Sequence, residues 1–126
     1  MASKKPWTKK KWIKVITEHC KTVGTYRESF GPVIDSLAGI LENRDKALDT
    51  FERSGGNILI LHTNKSGASN FEQNPALRMA NDLNRDALAY WRDLGLTPAG
   101  LKKINESALK PQKRNALTEA LKDLGG

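Results

Sequence analysis

Two cap-plus-proline signals, Asn74-Pro75 and Thr97-Pro98, bracket a run whose apolar residues return every three or four positions, and this constrains the fold more than any other feature of the sequence. Asparagine or threonine suits a helix N-cap, and proline suits the first turn, where its missing N–H has no intrahelical partner. The spacing predicts a long helix from Asn74 to Leu94, stopped by Gly95, and a short helix after Pro98 carrying Leu101 and Ile104. Leu77, Ala80, Asn84, Ala87, Trp91 and Leu94 occupy heptad a and d positions, with Leu83 and Leu88 widening the stripe. Such a stripe serves equally as ordinary core or as a contact between subunits. Asn84 leans toward the second, because a polar residue at an a position fixes register and oligomer number at some loss of stability.

The rest of the chain is punctuated in the same way. Thr8 caps a first helix to about Thr22, with Trp12, Val15, His19 and Val23 on one stripe and Ile13, Ile16 and Cys20 beside it, before Gly24 ends it. Thr25 and Glu28 have capping-box spacing for a second helix, whose apolar face runs from Tyr26 through Phe30, Val33, Ile34, Leu37, Ala38, Ile40 and Leu41. Gly31-Pro32 interrupts that face, either kinking one helix or beginning a new one at Pro32; the stripe continuing across it favours the kink. Asn43 and Arg44 are expected to turn the chain into a shorter third helix with Ala47, Leu48 and Phe51, closed by Gly55-Gly56.

Ile58, Leu59, Ile60 and Leu61 form a short apolar run followed by turn residues, which predicts a β-hairpin with strands near 57–63 and 69–72. A lone hairpin is marginal in water, so it must lie on the helices or pair with a neighbouring subunit. The expected architecture is mainly α: a helical single domain with a small β-hairpin between the third helix and the long fourth helix. It divides into a basic arm and helix (1–24), a helical core (25–105) and a basic tail with a short amphipathic helix (106–126).

Charge is segregated. Of the 126 residues with net charge +7, positions 1–21 hold seven lysines against Glu18, a balance of +6. The middle, 22–101, is near −2, and the tail from Lys102 onward carries +3. Clustered amines can replace counterions along a phosphate backbone, largely without regard to sequence. Candidate DNA contacts are therefore Lys4, Lys5, Lys9, Lys10, Lys11, Lys14 and Lys21, joined by Trp7, with Lys102, Lys103, Lys110, Lys113 and Arg114 as a second group. A charge run of this kind is equally a solvated helix face, and Trp7 equally a staple on the helix end.

Catalytic chemistry has little to work with. His19 and His62 are the only histidines, neither lies in a metal-ligand spacing, and no phosphate-binding loop is present. Adjacent His19 and Cys20 point about 100° apart on a helix and do not face each other. No enzyme activity, metal or cofactor is expected. The single Cys20 cannot form an internal disulfide, no apolar run is long enough for a bilayer, and the basic N-terminus lacks a signal peptide's apolar segment. A cytoplasmic protein with no membrane association is expected.

Asn74-Pro75-Ala76-Leu77, the long helix after it, and Leu94-Gly95-Leu96-Thr97-Pro98-Ala99-Gly100-Leu101 resemble the signature of phage terminase small subunits, a helix start with His or Asn before proline and a Gly-Leu-Thr-Pro corner. The likeness covers roughly residues 25–105. It departs after the corner proline, where many members have serine and arginines and this chain has Ala99, Gly100, Leu101, Lys102 and Lys103; lysine keeps the charge but not the bidentate geometry. The resemblance implies a ring-forming homo-oligomer in the bacterial host cytoplasm that binds double-stranded viral DNA and recruits and regulates the large ATPase and nuclease subunit during genome packaging. On that reading the Leu77 to Leu94 helix serves assembly, and Leu117, Leu121 and Leu124 dock the large subunit. The alternatives are a dimeric helical transcriptional regulator reading an operator, and a scaffold whose basic face takes an acidic protein partner.

Overall fold

A computed structural model describes residues 5–107 and Leu121. The first helix, α1, spans Lys9–Val23, with Thr8 Oγ1 accepting from the Lys11 N–H at its start and Gly24 in the left-handed conformation at its end. A single 3₁₀ turn, Glu28–Phe30, leads into α2, Gly31–Arg53. Strands β1 (Leu59–Thr63) and β2 (Ser69–Gln73) form an antiparallel hairpin with Leu61 opposite Phe71, and α3 follows at Pro75–Asp93. Residues 98–107 are helical. The protein is thus mainly α with one small hairpin, as its periodicity predicts.

Helix α2 lies at the centre, packed on both α1 and α3. Ile16 and Cys20 of α1, Ile34, Leu37, Ala38 and Leu41 of α2, and Ala87 and Leu94 on and just after α3 form one buried cluster. Each fully buried leucine or isoleucine contributes about 1.5–3 kcal/mol relative to exposure. The first helix is therefore built into the same core as the rest, and its packing does not stop at residue 24.

Three local expectations are corrected. The chain does not kink at Pro32: the helix begins there, with proline in the first turn, where an N–H would have no intrahelical acceptor. Thr25 does not cap the second helix, because its buried hydroxyl donates 2.7 Å to the Leu94 carbonyl 69 residues away. Asn43 and Arg44 do not end a helix either. Helix α2 runs through them for 23 residues, making it longer than the 19-residue α3, and the hairpin follows the second α-helix instead of the third. Arg44 is held in mid-helix by tertiary partners: its guanidinium meets Asp45 Oδ1 at 2.9 Å and donates 3.0 Å to Asn84 Oδ1 on α3. Trp12 Nε1 donates 2.8 Å to the other Asp45 oxygen, so one polar chain ties all three helices together.

The hairpin turn is organised by Asn64, whose side-chain oxygen accepts from the Ser66 N–H, the Ser66 hydroxyl and the Ala68 N–H. Asn74 does double duty at the base. Its Oδ1 caps α3 through the Ala76 N–H, and its Nδ2 donates 3.1 Å to the Asn57 carbonyl, fixing how the hairpin leaves the helix.

Candidate nucleic-acid interface

The lysines of α1 separate into two sets according to what lies beside them. Lys9 is turned toward α2: its ammonium pairs with Asp35 at 2.9 Å, and its backbone N–H donates to Glu42 Oε2 at 2.6 Å. Its charge already has a counterion within the chain. Lys10, Lys14 and Lys21 are exposed, on the side of α1 away from Ile16 and Cys20. At 100° per residue these three fall within about 40° of one another and span roughly 16 Å along the helix axis. A straight row of amines on a rigid helix suits the regularly spaced charges of a duplex backbone. Glu18 is the only acid in α1.

Basic residues at both ends of α1 meet aromatic rings. Trp7, just before the cap, packs on Trp12 one turn inside, with ring centroids 4.8 Å apart at 56°. This is the hydrophobic-staple geometry, so the stapling role of Trp7 is realised. The Trp7 ring still stays 45% exposed, and the Lys11 ammonium lies 5.4 Å from its centroid. Lys21 similarly sits 5.0 Å over Tyr26. Lys5 is exposed beside Trp7, next to Asp45, Asp49 and Glu52 of α2.

The second basic group begins at the corner after α3, and the structure shows why that corner has its sequence. Gly95 has φ +74°, and a Cβ on it would lie 2.8 Å from both Ile104 Cδ1 and Thr25 Cγ2. A Cβ on Gly100 would overlap the Arg92 carbonyl. Thr97 Oγ1 accepts from the Gly100 N–H at 3.0 Å. Helical segment 98–107 is thereby held tightly against the end of α3. Lys102 and Lys103 are exposed on it, and Lys103 shares a cavity of about 380 Å³ with Arg92 and Asp93. Arg92 was not among the sequence candidates, since its place beside Lys103 depends on the turn at Gly95. Lys4, Lys110, Lys113, Arg114, Leu117 and Leu124 lie outside the described residues; Leu121 is exposed.

Part of the heptad face of α3 is used inside the chain. Ala80, Ala87 and Leu94 are buried, Trp91 packs on the core cluster, Leu77 is half-buried, and Asn84 accepts from Arg44. The buried members have no surface left to offer a second subunit. Large apolar side chains are exposed elsewhere: Ile58, Leu59, Leu61 and Phe71 on and beside the hairpin, and Met79 and Leu88 on the outer side of α3. Sequence reasoning left the hairpin to lie on the helices or pair with a neighbouring subunit, because the unbroken run Ile58 to Leu61 hides which side chains share a strand face.

Among the described residues there is no group of three metal-ligating side chains, and no helix is long and apolar enough to cross a membrane. Among the described residues, Cys20 has its thiol pKa pushed up by burial, partly opposed by its contact with the Thr25 side chain.

The sequence model of one family, described as phage terminase, small subunit, matches residues 8–121. The chain belongs to this family. The match runs from the cap of α1 through the hairpin and the Gly95 corner, so it takes in every element described here. No curated protein and no solved structure matches the chain. The terminase small subunit therefore presents a three-helix core, an outward lysine row on α1 and a hairpin bearing exposed apolar side chains.

Proposed function

We propose that this small subunit assembles into a homo-oligomeric ring, binds double-stranded viral DNA, and recruits and regulates the large ATPase and nuclease subunit in the host cytoplasm, with no catalytic role of its own. The observation that carries the DNA assignment is the exposed row of Lys10, Lys14 and Lys21 on α1, which, unlike Lys9, makes no salt bridge among the described residues. Lys5, Lys11, Lys102 and Lys103 extend the basic surface, and Lys4, Lys110, Lys113 and Arg114 add charge in the flanking sequence. Leu117, Leu121 and Leu124 supply an apolar repeat for the large subunit to grip. Family membership favours this packaging role over an operator-binding regulator.

A ring suits such a surface. Three phosphate contacts bind weakly, but several copies held together raise the effective concentration of each and convert weak contacts into avid binding. The test is retention of random-sequence duplex DNA and of the purified large subunit on immobilised wild-type protein, compared with a Lys10→Gln, Lys14→Gln, Lys21→Gln variant. The variant should lose DNA while still capturing the large subunit. Undiminished DNA retention would remove α1 from the interface, and failure of the wild type to capture either ligand would remove the packaging role.

A further inference from the structure

Among the described residues, the hairpin is largely exposed and carries several large apolar side chains. Leu59, Leu61 and Phe71 are 57%, 60% and 72% exposed. Strand alternation and the Leu61–Phe71 pairing put all three on one face, while Ile60, His62 and Glu72 occupy the other. The two strands pack chiefly on each other. A two-stranded sheet is marginal in water without a hydrophobic face covered. An apolar face of this kind marks a contact surface.

Beside the base of the hairpin, the outer side of α3 carries a groove of about 320 Å³ lined by Pro75, Met79 and Leu83, flanked by Glu72 and Asp82 with Arg78 between them. Met79 is 58% exposed. Five-residue strands carry the turn roughly 17 Å from that base, and a paired strand cannot fold back to fill it. The apolar face and the groove thus cannot satisfy each other within one chain. Charge does not oppose the contact: Lys65 is the only charged residue between Thr63 and Asn70, and the groove rim is balanced, with Asp82 3.7 Å from Arg85 and Glu72 beside Arg78.

We propose that the hairpin of one copy seats Leu59, Leu61 and Phe71 in the Pro75–Met79–Leu83 groove of the next copy, making a head-to-tail contact. This rests on the ring reading above and names the surfaces that build the ring. A heterologous contact uses different patches on the two partners, so each copy is left with one free hairpin and one free groove, and repetition closes a ring. The three side chains supply on the order of 300 Å² of apolar area, a substantial part of the roughly 800 Å² that each partner gives to a stable interface.

The test measures particle mass by light scattering for the wild type, Phe71→Asp, Leu61→Lys and Met79→Glu, with helical content checked by circular dichroism. All three substitutions are at exposed positions outside the core, so helical content should be unchanged. The wild type should be a many-chain particle and each variant a single chain. An equimolar mixture of Phe71→Asp and Met79→Glu should give two-chain particles, because an intact hairpin meets an intact groove once and growth then stops. A wild type of single-chain mass would overturn the ring reading itself. A many-chain wild type whose Phe71→Asp and Leu61→Lys variants keep the same mass would overturn the hairpin contact and leave the ring standing. A mixture that stays as single chains would overturn the head-to-tail pairing.

Discussion

The hydroxyl of Thr25 donates a buried 2.7 Å hydrogen bond to the carbonyl of Leu94, joining the link between α1 and α2 to the corner after α3. Both residues are buried, Thr25 at 6% and Leu94 at 2% exposure, so water cannot replace the bond. Thr25→Val keeps the shape and orphans the carbonyl, at a cost of about 1–3 kcal/mol. Gly95→Ala should cost at least as much, since it combines positive φ with a Cβ 2.8 Å from Ile104 and Thr25. Urea midpoints would check both, with Thr25→Ser expected to retain most of the stability.

The Trp7–Trp12 staple predicts a smaller, local effect. Trp7→Ala removes one ring of a pair worth about 0.5–1.5 kcal/mol beyond its area, and the first turn of α1 should fray. Faster amide exchange confined to the start of α1 is the expected signature, with the Trp12–Asp45 bond holding the rest of the helix in place.

How much of this was legible in the sequence depends on how far each signal reaches. Thr8, Gly24 and Asn74-Pro75 act on backbone groups within a few residues, and the elements they begin or end were found closely. Arg44 read as a turn residue because its partners, Asp45 on one side and Asn84 on another helix, become visible only when the helices pack. Pro32 was ambiguous for the same reason: periodicity passes through a helix start as smoothly as through a kink. The α3 stripe was recognised as apolar, but periodicity identifies a face and not its partner. Ala87 turns out to pack in the cluster with the α2 side chains, and Ala80 is buried. For the lysines, sequence supplied the cluster, and only the packing of Ile16 and Cys20 could separate Lys9 from Lys10, Lys14 and Lys21.

Asn84 discriminates a core role for the α3 stripe from an assembly role. With its oxygen accepting from Arg44 inside the chain, Asn84→Ala should lower stability by about 0.5–1.5 kcal/mol and leave the subunit number unchanged by light scattering. A change in subunit number would return the residue to an assembly role.

Cys20 gives the protein an alkaline weakness. Burial raises its pKa in the folded state, so the unfolded thiol ionises first, from about pH 8.5. Between the unfolded and folded pKa values the native state binds more protons than the unfolded one, and stability falls as pH rises. The contribution is complete below the unfolded value and disappears as pH passes the folded one. Urea midpoints of the wild type should therefore fall more between pH 7.5 and 9.5 than those of Cys20→Ala, a comparison in which the other titrating groups cancel.

The salt dependence of duplex binding tests the central claim most directly, because each phosphate contact made by a lysine releases counterions and adds about 0.9 to the slope of log affinity against log salt. Wild type and the Lys10, Lys14 and Lys21 glutamine variant should differ in that slope by about 2–3 for each engaged subunit, at equal particle mass. Parallel slopes would contradict the account and leave the outward face of α1 a solvated surface.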